Sequence, residues 1–155
     1  TVIDHHKSAE KELEGFMSLP GVSGIFDMTK SGAMLTYEYF WNGDRNDKEL
    51  ASIFWMKRAI EYIQDRDLWK FELEGSKEYS MAVFSYEYDF EIWDKEVFSK
   101  TPCQLISEGA HLLRKMEKDK KELIAAIAYR GDIGGHNVPM INVPYIYASE
   151  IAGLL

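Results

Sequence analysis

Apolar residues recur at helical spacing in two long stretches of this chain. The first stretch runs from Asp47 to about Gln64 and predicts an amphipathic helix that ends at "DRDLW". The second begins where Thr101 and Pro102 suit an N-cap and a first helical position, and its apolar stripe continues to Ile127. The positions that define the stripes are Leu50, Ile53, Phe54, Met56, Ile60 and Ile63 in the first helix and Leu105, Leu112, Leu113, Met116, Leu123, Ile124 and Ile127 in the second.

Shorter apolar runs near the start of the chain predict two strands and a third helix. The opening "TVI" is typical of the end of a β-branched strand, and the polar stretch after His6 leaves it as a loop or short helix. Ile25 and Phe26 follow a loop with proline and glycine, and they predict a second strand. "AMLTYEYFW" predicts a largely buried helix capped by Ser31, and "NGDRND" breaks this helix.

The remaining patterns place an interdomain connector in the second half of the chain. "SKEYSMAVFSYEYDFEIWDKEVF" predicts one or two helices, and "YRGDIGGHNVPMINVPYIY" predicts two short strands before a last helix that opens at Ser149. The run "EKDKKE" on the long helix alternates in sign, which favours a solvated face over a binding patch. Because the long helix separates two strand-containing regions, we predict an α/β fold with a domain boundary within that helix.

Composition favours a packed globular protein over a disordered one. Of the 155 residues, 46% are hydrophobic and 14% aromatic, and the formal net charge is −8. This charge repels phosphate backbones, so long duplex nucleic acid is not an expected partner. Cys103 is the single cysteine, and no apolar run approaches the roughly 20 residues that span a bilayer. We therefore expect a cytoplasmic protein without a membrane partner, and the absence of an initiator Met predicts that the natural N-terminus is missing.

Asp4, His5 and His6 follow the first predicted strand and carry the chemistry of a divalent metal site. Imidazole nitrogen and carboxylate oxygen suit Mn, Fe or Zn, and a neighbouring carboxylate can orient a ligating histidine. In open α/β sheets, ligands collect beyond the carboxyl ends of the strands. On residue types alone, a metal site and a surface turn with two solvated histidines fit this tripeptide equally well.

Four stretches together resemble the DHH phosphoesterase superfamily, in its bacterial branch of DHH-family phosphohydrolases. They are "VIDHHKSAEKELEG", "FDMTKSGAMLTYEYFW", "YIQDRDLWKFELEGSKEYSMAVFSYEYDFEIWD" and "GHNVPMINVPYIYASEIAGLL", in the order that the branch shows. The resemblance covers nearly the whole chain and implies an internal segment of a longer two-domain enzyme. Residues 1–100 would be the C-terminal part of the catalytic domain, 101–127 the connector helix, and 128–155 the beginning of a substrate-binding domain.

The resemblance also implies a catalytic role for each residue of the tripeptide. His5 matches a metal-ligating histidine, His6 the histidine that faces the substrate phosphate, and Asp4 a supporting carboxylate. The family's fourth motif is a metal-binding aspartate, for which Asp65 is the better match and Asp67 the second choice. Two metals, typically manganese, would activate a water and stabilise the phosphoryl oxyanions, while His6 donates a hydrogen bond there.

The chain departs from the family pattern at both ends. The two motifs that precede DHH in the family are absent, and so is the glycine-rich "GGGH"-type loop of the C-terminal domain. Gly134-Gly135-His136 superficially resembles that loop, but a strand pattern follows it, so we do not assign His136 to substrate. His111 is expected to be solvated or partly packed. The aromatic residues that we assign to packing, unless one lies exposed beside Asp65, are Tyr37, Tyr39, Phe40, Trp41 and Trp69.

Two functional interpretations follow. The first is a segment of a metal-dependent phosphoesterase acting on short nucleotides, such as an oligoribonucleotide, a cyclic dinucleotide or a nucleoside bisphosphate. Polyphosphate, pyrophosphate and single-stranded DNA are also compatible with the family, and so is a homodimer. The alternative is a truncated, non-catalytic DHH-like module that binds a ligand or serves in assembly.

Overall fold

The computed structural model describes residues 1–41 and 50–155, with side chains in the second range from residue 54 onward. The elements in chain order are β1 (Val2–Asp4), α1 (Lys7–Glu12), a 3-10 turn (Phe16–Ser18), β2 (Gly24–Phe26), α2 (Gly32–Phe40), α3 (Leu50–Asp67), α4 (Ser76–Val83), α5 (Phe90–Glu96), α6 (Pro102–Ile127), β3 (Tyr129–Ile133), β4 (His136–Met140), a 3-10 turn (Tyr145–Tyr147) and α7 (Ala148–Ala152). The fold is therefore mixed helix and strand, as the sequence predicts at the level of class.

β1 and β2 form a two-stranded parallel sheet. Val2 pairs with Gly24 and Asp4 with Phe26, so both strands end at the same edge. Gly24 is required for this contact, because a Cβ atom there would overlap the carbonyl oxygen of Val2 and lie 2.8 Å from Cε of Met17. Both predicted strands are confirmed, and the register leaves the Asp-His-His stretch at the carboxyl edge of the sheet.

α2 begins at the predicted cap. The Ser31 hydroxyl accepts a hydrogen bond from the backbone N–H of Met34 at 3.1 Å, and Ser31 is fully buried. The Ser31 N–H donates to Oε1 of Gln64 at 3.0 Å, which joins the start of α2 to the last turns of α3. The prediction of a largely buried helix was wrong in extent, because only Met34 and Leu35 are buried and Phe40 is 70% exposed.

α3 continues to Asp67, beyond the predicted end at Gln64, and the predicted "NGDRND" break and start at Asp47 lie outside the described residues. Its core face differs from the predicted stripe, since Phe54 is exposed whereas Ala59 and Tyr62 are buried. The Tyr62 ring stacks on Tyr79 of α4, with centroids 4.3 Å apart and planes inclined by 15°. The buried cluster that holds α3, α4 and the start of α6 together is Ala59, Tyr62, Tyr79, Ala82, Val83, Val97 and Leu105.

The chain divides within α6 into two compact units, Thr1–Ala110 and His111–Leu155. In the second unit, β3 and β4 form an antiparallel hairpin closed by Gly134 and Gly135. Both glycines have positive φ, 59° and 84°, as a two-residue type I′ turn requires. The two predicted strands are confirmed, and the last helix begins at Ala148, one residue earlier than predicted.

Lys120 contradicts the prediction that the whole "EKDKKE" run is solvated. Its side chain is almost fully buried, with Nζ 2.6 Å from Oε1 of Glu117 and 3.8 Å from Oε2 of Glu150 in α7. Burial of an ammonium group is tolerated when carboxylates pair with it. The neighbouring Lys118 and Lys121 are exposed, as predicted. No helix among the described residues is long and apolar enough to cross a membrane.

Candidate metal centre

Asp4, His5 and His6 form a compact cluster at the carboxyl end of β1. One ligand atom from each residue lies within 4.8 Å of the others. Asp4 organises the cluster, because its Oδ1 accepts hydrogen bonds from the backbone N–H groups of His5 at 2.7 Å and His6 at 3.2 Å. The same oxygen accepts from Nδ1 of His6 at 2.8 Å. This hydrogen bond from the His6 ring, with the two backbone bonds, holds the pKa of Asp4 below its ordinary value of 3.8, so the group is a carboxylate at neutral pH.

His6 is oriented as a metal-ligating or phosphate-facing histidine would be. Donation of the Nδ1 proton to Asp4 leaves the lone pair on Nε2 in the neutral ring. A carboxylate behind a histidine is the usual support for such a nitrogen. The His6 side chain is 65% exposed, so its ring is open to a ligand.

His5 faces the first turn of α2 and the end of α3. Its Nδ1 accepts the backbone N–H of Gly32 at 2.8 Å and lies 3.5 Å from Oδ2 of Asp67. The His5 side chain is mostly buried, whereas Asp67 is exposed. The structure therefore brings one of the two predicted fourth-motif aspartates, Asp67, to the predicted metal-ligating histidine.

The donor set fits a divalent ion in chemistry and in spacing. Two ligand atoms bound at about 2.0–2.2 Å in tetrahedral geometry lie about 3.3–3.6 Å apart, which includes the observed Nδ1 to Oδ2 distance. One feature opposes immediate binding, since the Gly32 N–H occupies the Nδ1 lone pair. Metal binding at His5 therefore requires the ring to rotate or the Gly32 N–H to give way.

Asp65, the preferred fourth-motif residue, binds the backbone of the loop that follows α3. It is 5% exposed, and its carboxylate accepts the backbone N–H groups of Glu72 at 3.0 Å and Leu73 at 3.2 Å. Burial acts to raise the pKa of Asp65, but the hydrogen bonds to the carboxylate outweigh it and hold the pKa below 3.8. Asp65 thus organises the loop after α3, and its predicted role as a metal ligand stays a prediction.

Asp65→Asn is expected to lower the free energy of unfolding by about 1–3 kcal/mol at pH 7, because an amide replaces a charged acceptor of two part-buried hydrogen bonds. The folded pKa of Asp65 lies below its unfolded value, so the contribution of Asp65 is present above about pH 4 and is lost as pH falls through the folded pKa. The difference in free energy of unfolding between wild type and Asp65→Asn should therefore become smaller below pH 4, as measured by denaturant titrations. The control Asp67→Asn, at an exposed position, should change stability by less than about 0.5 kcal/mol at pH 7. Equal stability losses for the two variants would contradict this role.

The remaining predicted residues lie outside the cluster. His111 and His136 are exposed in the second unit, His111 on α6 and His136 at the start of β4. Tyr37 and Trp41 stack at 5.5 Å and line an apolar cavity of about 730 Å³, together with Phe40, rather than closing into a core. Trp69 is 49% exposed in the loop that Asp65 organises.

Two groups near the site were not predicted from the sequence. The Gly32 N–H reaches His5 because Ser31 caps α2 beside β1, and only the "SG" pair before the helix signalled this turn. Arg66 precedes Asp67 and lines with it a cavity of about 210 Å³. Its position depends on the rotation of α3, which helical periodicity alone leaves undetermined.

Comparison with known proteins finds similarity to a viral protein. No family model and no solved structure matches the chain. An uncharacterized protein of Acanthamoeba polyphaga mimivirus is 29% identical over 128 residues, which are 83% of this chain and 27% of the viral protein. The chain thus spans about a quarter of that relative's length.

Proposed function

We propose that this chain is a segment of a DHH-type, metal-dependent phosphoesterase that hydrolyses phosphate esters of short nucleotides. The observation that carries the proposal is the meeting of His5 and Asp67, which are far apart in sequence, beside the Asp4 and His6 pair. We assign residues 1–100 to the catalytic domain, 101–127 to the connector and 128–155 to the start of a substrate-binding domain.

The proposed metal ligands are His5 and Asp67, and we place Asp65 second. Asp65 already accepts two backbone hydrogen bonds that the loop needs, whereas Asp67 is exposed and lies next to His5. Bound divalent metal, with two manganese ions in the intact enzyme, would supply an activated water and positive charge for the phosphoryl oxygens. On this chain alone we expect one weak Mn²⁺ site, because the described residues bring only one histidine and one aspartate together outside the Asp4 and His6 pair.

The protein's own groups would position the phosphoryl group. His6, fixed through Nδ1 by Asp4, would donate from Nε2 to a phosphoryl oxygen when its ring is protonated. The N-terminal end of α2 lies at the same place, and its Gly32 N–H, once released from His5, would offer a second donor. Both groups point to stabilisation of an anion beside the metal ligands.

The observation that favours the non-catalytic module is the hydrogen bond from Gly32 to His5, which blocks the nitrogen that a metal would need. A binding module would keep this bond in the presence of Mn²⁺. Retention of the Gly32 amide shift in NMR spectra recorded with stoichiometric Zn²⁺, a diamagnetic substitute, would favour that alternative over the enzyme.

His6→Ala in the intact protein is expected to lower turnover of a dinucleotide by about 10²-fold or more and to leave bound manganese nearly unchanged. The reason is that His6 would act on the phosphoryl oxygen, while its Nδ1 is already engaged with the Asp4 carboxylate. Turnover and metal content are measured in parallel, with the exposed His111→Ala as the control. Loss of manganese with normal turnover per bound ion would instead make His6 a ligand.

A further inference from the structure

The loop after α3 holds bulky aromatic residues in a backbone conformation that they seldom adopt. Trp69 and Phe71 have φ values of 56° and 52°, in the left-handed region that favours glycine. The loop keeps this conformation because both the backbone carbonyl and the side-chain carboxylate of Asp65 accept hydrogen bonds from it. Its carbonyl oxygen accepts the N–H groups of Lys70 and Phe71, and its carboxylate accepts those of Glu72 and Leu73. The consequence is that the Trp69 indole stays half exposed beside a buried anchor.

Cations alternate with aromatic rings around this indole. Cζ of Arg66 lies 5.1 Å from the Trp69 ring centroid and 5.0 Å from that of Phe84. Phe71 meets Trp69 edge to face at 5.1 Å, and Nζ of Lys77 lies 5.2 Å from the Phe71 centroid. Phe84 is also about half exposed. We call this group the aromatic patch, and define it as Arg66, Trp69, Phe71, Lys77 and Phe84.

The aromatic patch adjoins the candidate metal centre. Arg66, Phe84 and Asp67 line one cavity of about 210 Å³. Oδ2 of Asp67 lies 3.5 Å from Nδ1 of His5. A ligand whose phosphate lies at His5 can therefore reach the aromatic patch with a group attached to that phosphate.

The charge around the patch favours a short ligand over a long nucleic acid. Residues 66–77 contain three cations and three carboxylates, so the charge of this segment is balanced although the chain carries −8 overall. Long strands bind through many phosphate contacts to a positive surface, which this segment does not supply. Base stacking needs no such surface, because every base has a π face and stacks on an exposed aromatic ring.

We propose that Trp69 is the stacking platform for a nucleobase of the substrate, with Arg66 placing positive charge beside it. This inference rests on the proposed phosphoesterase function and specifies its substrate as a nucleotide with a base next to the scissile phosphate. Arg66 lies over the indole, and the base would stack on the part of the Trp69 ring that is exposed. Pyrophosphate and polyphosphate have no base, so stacking on Trp69 adds nothing to their binding affinity.

The test compares binding of pApA with binding of the same dinucleotide in which both bases are replaced by abasic sites. Dissociation constants are measured by calorimetry on the full chain, with and without Mn²⁺. Wild type should bind pApA about tenfold or more tightly than the abasic compound, since each stacked base contributes about 1–3 kcal/mol. Trp69→Phe should keep most of this preference, and Trp69→Gly, which suits the positive φ, should abolish it. Trp69→Asn tolerates the same φ and serves if the glycine variant does not fold.

Two controls separate this inference from the proposed function. Tyr145→Ala removes a more exposed aromatic ring in the second unit and should leave the preference for pApA unchanged. Mn²⁺ affinity should be the same in wild type and Trp69→Gly.

Equal binding of pApA and the abasic compound by wild type would overturn the stacking role of Trp69, even if both compounds are hydrolysed. A base preference that depends on Trp69 would support it, even if neither compound is hydrolysed. Binding of an apolar peptide at Trp69 without any base preference would also overturn it.

Discussion

Gly109→Ala is expected to lower the free energy of unfolding by about 3 kcal/mol or more, because the added methyl group would meet the backbone of another helix. Gly109 lies on α6 where that helix crosses α4. A Cβ atom there would overlap the carbonyl oxygen of Glu78 and lie 2.5 Å from its carbonyl carbon and 3.0 Å from the backbone nitrogen of Ala82. Alanine favours a helix over glycine by about 1 kcal/mol, which is too little to offset a collision between two backbones.

The consequence of this collision should extend to the metal centre. α4 packs on α3 through the stacked Tyr62 and Tyr79 rings, and α3 carries Asp67. Thermal and denaturant unfolding measure the stability loss. Gly153→Ala is the matched control, because the nearest atom to its Cβ is 4.0 Å away and the change should be within about 0.5 kcal/mol. A Gly109→Ala variant as stable as Gly153→Ala would contradict the close approach of α4 and α6.

His5→Ala is expected to lower the affinity of the chain for Mn²⁺ by about 10²-fold or more, the largest effect on metal binding. Removal of a ligand costs more than removal of a supporting residue, which typically costs 10- to 100-fold. The fold should survive, because the variant loses one hydrogen bond from Gly32, which contributes about 1 kcal/mol. Calorimetric titration measures the affinity and circular dichroism the fold.

His136→Ala is the matched control for this variant. His136 is an exposed histidine on β4, and its removal should leave Mn²⁺ affinity within about twofold of wild type. Two tight Mn²⁺ sites on residues 1–155 would contradict the expectation of one weak site, and so would unchanged binding by His5→Ala.

Local signals in the sequence were sufficient to predict the elements that deliver the tripeptide. The β-branched opening predicted β1, and Ser31 predicted the start of α2, because a hydroxyl that accepts an N–H of the first turn is a local interaction. The glycines, prolines and β-branched residues of the segment after α6 predicted its two strands, whereas the turn at Gly134 and Gly135, with both φ angles positive, was not predicted.

The choice between Asp65 and Asp67 could not be made from local signals. Residues two apart on a helix point about 200° apart, so only one of the two can face His5. The rotation of α3 decides which, and it is set by packing of Ala59 and Tyr62 against α4. Asp65 continues that buried row at a spacing of three residues, which is a sequence signal for a core-facing side chain. We did not use this signal, because we assigned the core face of the helix to the apolar stripe through Phe54, Ile60 and Ile63.

Burial of Lys120 also could not be predicted from the sequence. Alternating charges are typical of a solvated helix face. Its burial depends on Glu150, which belongs to α7, and no local pattern indicates that contact. The polar partner explains why a lysine is tolerated at this position.

We propose that His5 and Asp67 bind the same metal ion, and a double-mutant cycle on Mn²⁺ affinity distinguishes a shared ion from two independent effects. The cycle compares wild type, His5→Ala, Asp67→Asn and the double variant by calorimetry. If both residues bind one ion, each single change should lower affinity by about tenfold or more, and the double variant should be little weaker than the weaker single variant. An unchanged Mn²⁺ affinity in Asp67→Asn would contradict a shared ion. So would a double variant whose loss of binding free energy equals the sum of the two single losses.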